Sequence, residues 1–248
     1  MTTRHDAYRS LARHYDVHGW DWYARTFGAR LIALLCERGL RAGASILDAG
    51  CGTGSLALLL AAEGFRVTGV DYSPEMIARA RAKDASGTVD WRVGDITALN
   101  LDATFDAVVS VADVFNHFET LDDWESALRS LGAHLLPGGL VFVDAMTCRG
   151  LERMDVQSVQ ERDGVTLILA IVYERAARRS TLKVVSFAQT SPGSYVYERA
   201  QETITEWGQA ATDVMARFER AGFTGVERVW ATTDAPEDAD RMTLVARR

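Results

Sequence analysis

The chain has 248 residues, a formal net charge of −7 and 48% hydrophobic residues. This length suits one large α/β domain with room for an insertion. The acidic balance disfavours nucleic acid or an anionic membrane as a partner, because both attract basic surfaces. Its three scattered cysteines, Cys36, Cys51 and Cys148, lack metal-ligand spacing. They predict free thiols, no metal site and a reducing, cytoplasmic location. The charged start predicts no signal peptide, and no apolar run reaches the length of a membrane span.

Residues 1–40 are expected to form two helices that act as a lid. The first predicted helix places Tyr8 and Tyr15 on one face, and the second runs from about Trp20 to Arg38. The aromatic residues between and within these helices either pack the helices onto the domain or cover a ligand. Two of them, Trp22 and Tyr23, are candidate substrate contacts.

The next stretch predicts a nucleotide-binding corner. Ser45 to Ala49 is a short apolar run typical of a buried strand, three glycines follow at alternate positions, and a helical pattern begins at Ser55. Glycines let a ligand approach the backbone, and the start of a helix offers unpaired N–H groups. Asp48 at the end of the strand would repel a pyrophosphate but suits a ligand with an ammonium group.

This corner reads Asp48-Ala49-Gly50-Cys51-Gly52-Thr53-Gly54. It resembles the first motif, D-x-G-x-G-x-G, of the class I S-adenosylmethionine (SAM) methyltransferases. The resemblance implies SAM as cofactor and S-adenosylhomocysteine as product. It also implies cofactor contacts from Asp48, Gly50, Cys51, Gly52 and Gly54. Tyr15 lies in a segment that resembles the N-terminal "YD" segment of small-molecule members, where a tyrosine reaches the cofactor.

The following strands end in acids that suit a nucleoside. Asp71 ends the second strand, where a carboxylate can accept both ribose hydroxyls, a feature that NAD-binding folds share. Ser73 and Pro74 then start a helix. In the family, the region of Tyr72 and Met76 lies against the adenine, although Met76 also suits a core position.

Further along the chain, the family places three more residues at the cofactor. Asp95 binds the adenine amino group, Ile96 supplies a backbone contact, and Ser110 ends the fourth strand, Phe105 to Ser110.

Strands alternate with helices as far as Asp144, which predicts a doubly wound, mostly parallel seven-stranded sheet. The resemblance gives the strand order 3-2-1-4-5-7-6. We expect one domain, with a SAM-binding core over 41–150 and a return to the core over 206–248, where Val226 to Ala231 and Met242 to Ala246 pair as the closing strands. Between them, 151–205 predict an antiparallel β-meander that covers the substrate, with the hairpin signal Asp163-Gly164.

Polar residues of the meander and of the loop after the fourth strand are the candidate acceptor site. In that loop, His117 is the best general base by its intrinsic pKa, with a capping or surface role as the alternative. Asn116 is expected to hold the substrate or the methionine end of the cofactor, and Asp113 the substrate. The meander contributes three further candidate substrate contacts: Tyr195, Tyr197 and Arg199. Glu198 and Glu202 either bind a polar substrate or are solvated.

These residues favour a SAM-dependent methyltransferase that methylates an amine or hydroxyl of a small metabolite by in-line displacement. Intermediates of secondary metabolism belong to that class. An RNA or protein substrate is the alternative within the enzymes, and a SAM-binding regulatory protein without turnover is the alternative outside them. A homodimer is compatible with the sequence.

Overall fold

The structure is a computed structural model, and it describes residues 8–230 and 239–248. Eleven strands in these ranges form two sheets. Their bounds are β1 Ser45–Ala49, β2 Arg66–Asp71, β3 Val89–Val93, β4 Phe105–Ser110, β5 Leu135–Met146, β6 Gln157–Arg162, β7 Val165–Glu174, β8 Arg179–Gln189, β9 Tyr197–Trp207, β10 Thr224–Arg228 and β11 Arg241–Arg247.

The larger sheet has seven strands in the order β10-β11-β5-β4-β1-β2-β3. Strand β11 runs antiparallel to both of its neighbours, and the remaining pairs are parallel. This confirms the predicted order, in which the last strand inserts beside the fifth. The carboxyl ends of β1, β2 and β4 therefore meet at one edge, which is where ligands of such sheets bind.

The helices that cover this sheet are α1 Trp22–Glu37, α2 Ser55–Ala62, α3 Pro74–Lys83, α4 Leu121–Ala133, α5 Cys148–Arg153 and α6 Ala211–Arg220. Helix α3 begins as predicted, because the Ser73 hydroxyl accepts a hydrogen bond from the Met76 N–H at 3.2 Å. Buried side chains fill both faces of the sheet. Trp124 of α4 and Phe218 of α6 lie in one core, and Leu31 of α1 and Ile77 of α3 lie in the other.

The predicted first helix is wrong. Between residue 8 and α1 the structure has turns and one short 3-10 turn, Leu11–Arg13. The apolar spacing has another cause: Leu11 is buried against the smaller sheet, with Leu167 and Ile204 around it.

That smaller sheet is the predicted insertion, with β6, β7, β8 and β9 paired antiparallel in sequence order. Its first hairpin turns at Asp163 and Gly164, which have φ values of 48° and 74°. Two consecutive left-handed residues suit the twist of a two-residue hairpin, as the sequence predicted.

Some predicted boundaries shift. Helix α5, which was not predicted, spans the expected boundary at residue 150, and β9 continues past residue 205 to Trp207. The closing strand expected over Val226 to Ala231 is instead Thr224–Arg228, and Ala231 lies outside the described residues. Among the helices of 8–230 and 239–248, none is long and apolar enough to cross a membrane.

Candidate functional site

A cavity opens at the carboxyl ends of β1, β2 and β4, under the segment that precedes α1. It is lined by Tyr8, Tyr15, Gly50, Gly52, Asp71, Tyr72, Ser73, Met76, Gly94, Asp95, Ile96, Ala112, Val114, His117 and Phe118. The structure thus brings together nine of the predicted residues, from both the cofactor and the catalytic sets: Tyr15, Gly50, Gly52, Asp71, Tyr72, Met76, Asp95, Ile96 and His117.

The glycine loop between β1 and α2 meets two different needs. Gly52 has φ 55°, and a side chain built there would meet no atom within 4 Å, so its backbone is open to a ligand. Gly54 has φ 81°, and a Cβ there would lie 2.3 Å from the Trp91 ring. Gly54 is therefore needed for packing and does not line the cavity, contrary to the prediction.

Asp71 forms part of the cavity wall. Its Oδ2 accepts the Gly52 N–H at 2.8 Å, and its Oδ1 accepts the Ser73 N–H at 2.9 Å. Burial raises the pKa of this carboxyl, and the two N–H groups oppose that rise. Each carboxylate oxygen has a second lone-pair position, so the group can still accept ribose hydroxyls.

A second, smaller cavity adjoins the first through Tyr15, Gly50 and Gly52. Asp48 and Cys51 line it, as the cofactor prediction requires. Only 1% of Asp48 is exposed, and its Oδ2 has no hydrogen-bond partner among the described residues. Burial raises the pKa of Asp48 to about 7, with the Asp71 charge as a smaller cause. An ammonium group in this cavity would supply the missing partner.

The segment before α1 is fastened to the glycine loop. The Asp16 Oδ1 accepts the Thr53 hydroxyl at 2.6 Å, and Asp16 Oδ2 lies 2.9 Å from Lys83 Nζ. Lys83 also donates to Ser55 Oγ at 2.8 Å. These contacts hold Tyr15 between the two cavities. The sequence offered no signal for them, because Asp16 and Lys83 are ordinary charged residues far apart in the chain.

His117 lies at the end of the larger cavity, in the 3-10 turn Val114–His117. Its Nδ1 is 3.3 Å from the Thr205 carbonyl oxygen, and its Nε2 is 3.3 Å from the Tyr8 hydroxyl. A carbonyl only accepts, so Nδ1 carries the proton and Nε2 of the neutral ring accepts from Tyr8. The base prediction requires Nε2 to be the unprotonated ring nitrogen, and the Tyr8 hydroxyl is its hydrogen-bond partner in this structure.

Asn116 does not reach the cavity. Its side chain is fully buried, and its Nδ2 donates to the carbonyls of Met146 and Trp207, each at 3.0 Å. Its Oδ1 accepts the Met146 N–H at 2.8 Å. Because these bonds occupy the amide, Asn116 joins β5 to β9 and is not free to hold a substrate, which corrects the prediction.

Several other predicted contacts also lie elsewhere. The Ser110 hydroxyl donates to the Ala49 carbonyl at 2.8 Å inside the sheet and lines neither of these two cavities. Trp22 is 59% exposed and Tyr195 is 98% exposed. On β9, Tyr197 and Arg199 are exposed as well.

Tyr23 and Asp113 lie instead in a charged cluster around Arg241. The Arg241 guanidinium donates to Asp113 Oδ1 at 2.6 Å, pairs with both oxygens of Asp144, and lies 4.2 Å from the centre of the Tyr23 ring. The Tyr23 hydroxyl donates to Asp144 Oδ2 at 2.9 Å. Burial raises the pKa of Asp144, and the adjacent Arg241 charge opposes the rise.

Within the described ranges, no group of three or more His, Cys, Asp or Glu side chains is placed to hold a metal ion. The two cavities instead fit a cofactor with a nucleoside at one end and an ammonium group at the other. Asp71 faces the first end and the unpartnered oxygen of Asp48 faces the second.

Comparison with known proteins agrees with this geometry. Residues 46–139 match the model of a family described as "Methyltransferase domain". The cypemycin N-terminal methyltransferase of Streptomyces sp. is 28% identical over 223 residues, covering 89% of this chain and 90% of that protein.

Two solved structures share the fold. One is a SAM-dependent methyltransferase from Clostridium acetobutylicum, with a TM-score of 0.79 and 21% identity over 97% of this chain and 98% of that one. The other is a sugar N-methyltransferase from Streptoalloteichus sp., with a TM-score of 0.77 and 23% identity over 100% of this chain and 95% of that one. With the motif order and the strand order, the match over residues 46–139 assigns a methyltransferase domain to this chain, and the solved structures show that the chain shares the fold of SAM-dependent methyltransferases.

Proposed function

We propose that the enzyme transfers the methyl group of SAM to an amine or hydroxyl of a small metabolite. The observation that carries this proposal is the way in which the cavity is covered: one segment lies over it and is attached at two places. The segment before α1 is attached both to the glycine loop, through Asp16, and to the insertion, where Glu202 accepts the Ser10 hydroxyl at 2.7 Å. An acceptor space enclosed in this way suits a small molecule better than a folded RNA or protein.

The names of the relatives favour nitrogen as the acceptor. The cypemycin enzyme is an N-terminal methyltransferase, and the Streptoalloteichus enzyme is a sugar N-methyltransferase. By analogy, an amino group of a natural-product intermediate is the first candidate acceptor for this chain. The N-terminal amine of a short peptide is the second, because the cypemycin relative matches along most of its length.

The proposed mechanism assigns binding and proton transfer to separate residues. When bound, SAM supplies a methyl group that its sulfonium has already activated. Asp71 is assigned to the ribose, Asp95 and Ile96 to the adenine, and Asp48 to the ammonium group. His117 Nε2 is assigned to take the acceptor's proton or to orient the acceptor.

No residue needs to form a covalent bond in this scheme. Alignment of the acceptor with the methyl group alone can supply ~7–11 kcal/mol. A cover that closes over the bound ligands would also exclude water, and this would strengthen the electrostatic interactions inside the site.

The division of labour along the chain is part of the proposal. We assign residues 1–40 to the cover, 41–150 and 206–248 to the SAM-binding core, and 151–205 to the acceptor side.

We also propose a homodimer. The outer face of the smaller sheet exposes the apolar side chains of Val159, Ile168 and Val172, at 67%, 43% and 51%.

The acceptor class can be tested with SAM carrying a deuterated methyl group, incubated with a fractionated bacterial extract. We expect the label in small molecules, with the Asp71→Ala variant, whose SAM binding should be weakened, as the control that gives less label at a low SAM concentration. Label found only in RNA or in proteins would contradict the proposal. Tight SAM binding without any labelled product would favour the regulatory alternative.

A further inference from the structure

Strand β9 presents three glutamates on one face, and two of them hold the segment before α1. Glu198, Glu202 and Glu206 are four residues apart, so their side chains leave the same side of the strand. Glu198 pairs with Arg13 at 2.9 Å, and Glu202 Oε1 accepts the Leu11 N–H at 3.3 Å. The backbone of Glu206 pairs with Ser180 of β8, but its carboxyl makes no hydrogen bond or ion pair with any residue of 8–230 or 239–248.

The backbone on both sides of Glu206 is fixed next to the 3-10 turn of His117, which lines the larger cavity. The carbonyls of its two neighbours, Thr205 and Trp207, accept hydrogen bonds from His117 and Asn116. Burial is the main cause that raises the pKa of the Tyr8 and Tyr15 hydroxyls, and the Glu206 charge adds to both rises. The Glu206 carboxyl therefore lies within electrostatic range of both phenols that close the acceptor end of the cavity.

Within the described part of the chain, no cation is paired with the Glu206 carboxylate. Arg241 is close enough to lower the pKa of Glu206, but its guanidinium already pairs with Asp113 and Asp144. Burial, and next the Asp113 charge, raise the pKa of Glu206 to about 8, while Arg241 opposes the rise. An unpaired carboxylate in such surroundings is costly, and a bound cation would offset that cost.

We infer that Glu206 binds the ammonium group of the acceptor, so that the substrate is a primary or secondary amine that is protonated in solution. The inference rests on the proposed function and narrows it from amine or hydroxyl to amine. A neutral alcohol supplies no positive charge to offset the cost of ionising Glu206, so the same contact discriminates against O-acceptors. Glu206 is a specificity-determining residue in this account, and the proton-accepting role remains with His117.

Binding of matched probes tests the inference without turnover. The enzyme saturated with S-adenosylhomocysteine is titrated calorimetrically with benzylamine, glucosamine and alanyl-alanine amide, and with the N-acetyl form of each. We expect at least one free amine to bind more tightly than its N-acetyl form. Glu206→Gln keeps the shape of the side chain and removes its charge. It should lower the affinity for that amine by tenfold or more and leave the affinity for S-adenosylhomocysteine unchanged. Glu161→Gln, an exposed glutamate on β6, is the matched control.

Proton release gives a second readout that a structural role would not move. At neutral pH the Glu206 carboxyl is largely protonated, so binding of an ammonium ion should release a proton in the wild type and not in Glu206→Gln. Calorimetry in buffers of different ionisation enthalpy measures this release. The titratable or charged side chains that interact electrostatically with Glu206 are Tyr8, Tyr15, Asp113 and Arg241.

Two results would overturn the inference. One is that no free amine binds more tightly than its N-acetyl form, or that Glu206→Gln binds the amine as well as the wild type does. The other is that Glu206→Gln loses affinity for SAM but not for S-adenosylhomocysteine, which would assign the carboxylate to the sulfonium. Failure of the proposed function can be distinguished from failure of this inference, because it would show as absent methyl transfer with cofactor binding intact.

Discussion

The Nε2 atom of His117 lies 3.3 Å from the hydroxyl oxygen of Tyr8, a residue 109 positions earlier in the chain. The two rings meet edge to face, with centroids 5.7 Å apart. The contact joins the turn after β4 to the segment before α1, and both residues line the larger cavity. If His117 is the base, as we propose, the acceptor lies beside this pair.

Replacing His117 tests its assignment as the base. His117→Ala is expected to lower kcat by ~10²–10⁴ if it accepts the proton, with SAM affinity preserved. The acidic limb of the kcat/KM profile should disappear with it. Tyr8→Phe keeps the ring but removes the hydroxyl, and should cost much less. A loss of only a few-fold in His117→Ala, with the acidic limb intact, would assign that limb to the acceptor's own amine.

Asn116 should behave as a structural residue. Asn116→Ala removes three buried hydrogen bonds to the backbone of β5 and β9, so the free energy of unfolding should fall by about 3 kcal/mol. Urea unfolding measures this, with His117→Ala as the neighbouring control that should unfold nearly as the wild type does. Wild-type stability combined with lost turnover would restore the catalytic role that the sequence suggested.

The location of site residues that belong to a local motif could be predicted from sequence. Contacts between residues that are far apart in the chain could not. The glycine loop, Asp71 and Asp95 each follow a strand, so motif and strand pattern together indicated where they lie. The Asp113–Arg241 pair spans 128 positions, and no local pattern signals it.

The substrate contacts predicted on β9, Tyr197 and Arg199, lie on the exposed face of the strand. The residues of the covered face alternate with them and include Glu202 and Glu206. Because both faces of the strand carry polar side chains, alternation alone did not reveal which face is covered.

The contact between Lys83 and Asp16 should control access to the cofactor. Lys83→Met removes the ion pair and the hydrogen bonds to the glycine loop, so SAM affinity should fall several-fold, equivalent to about 0.5–1.5 kcal/mol. Proteolysis of the segment before α1 should become faster. Arg92→Met, which breaks an exposed ion pair with Asp90 on β3, is the control. Equal SAM affinity and equal proteolysis in both variants would show that this contact does not fasten the cover.

Asp48 should make the ligand-free protein less stable as pH rises. Its pKa is about 7 when folded, so between its ordinary value and about 7 the folded protein holds a proton that the unfolded chain has released. The free energy of unfolding therefore falls as pH increases through that window. In Asp48→Asn this fall should be smaller, as measured by urea unfolding at about pH 5 and about pH 8. The same fall in both proteins would mean that Asp48 has an ordinary pKa.

The most direct test of the account is the affinity of SAM for Asp71→Ala, measured by calorimetry beside the wild type. Asp71 is assigned to the ribose, and loss of its charged hydrogen bonds should weaken SAM binding by about 1.5–3 kcal/mol. Asp71→Asn, which retains one acceptor oxygen, should lie between the two. An affinity unchanged in Asp71→Ala, or tighter binding of NAD than of SAM to the wild type, would contradict the assignment of this cavity to SAM.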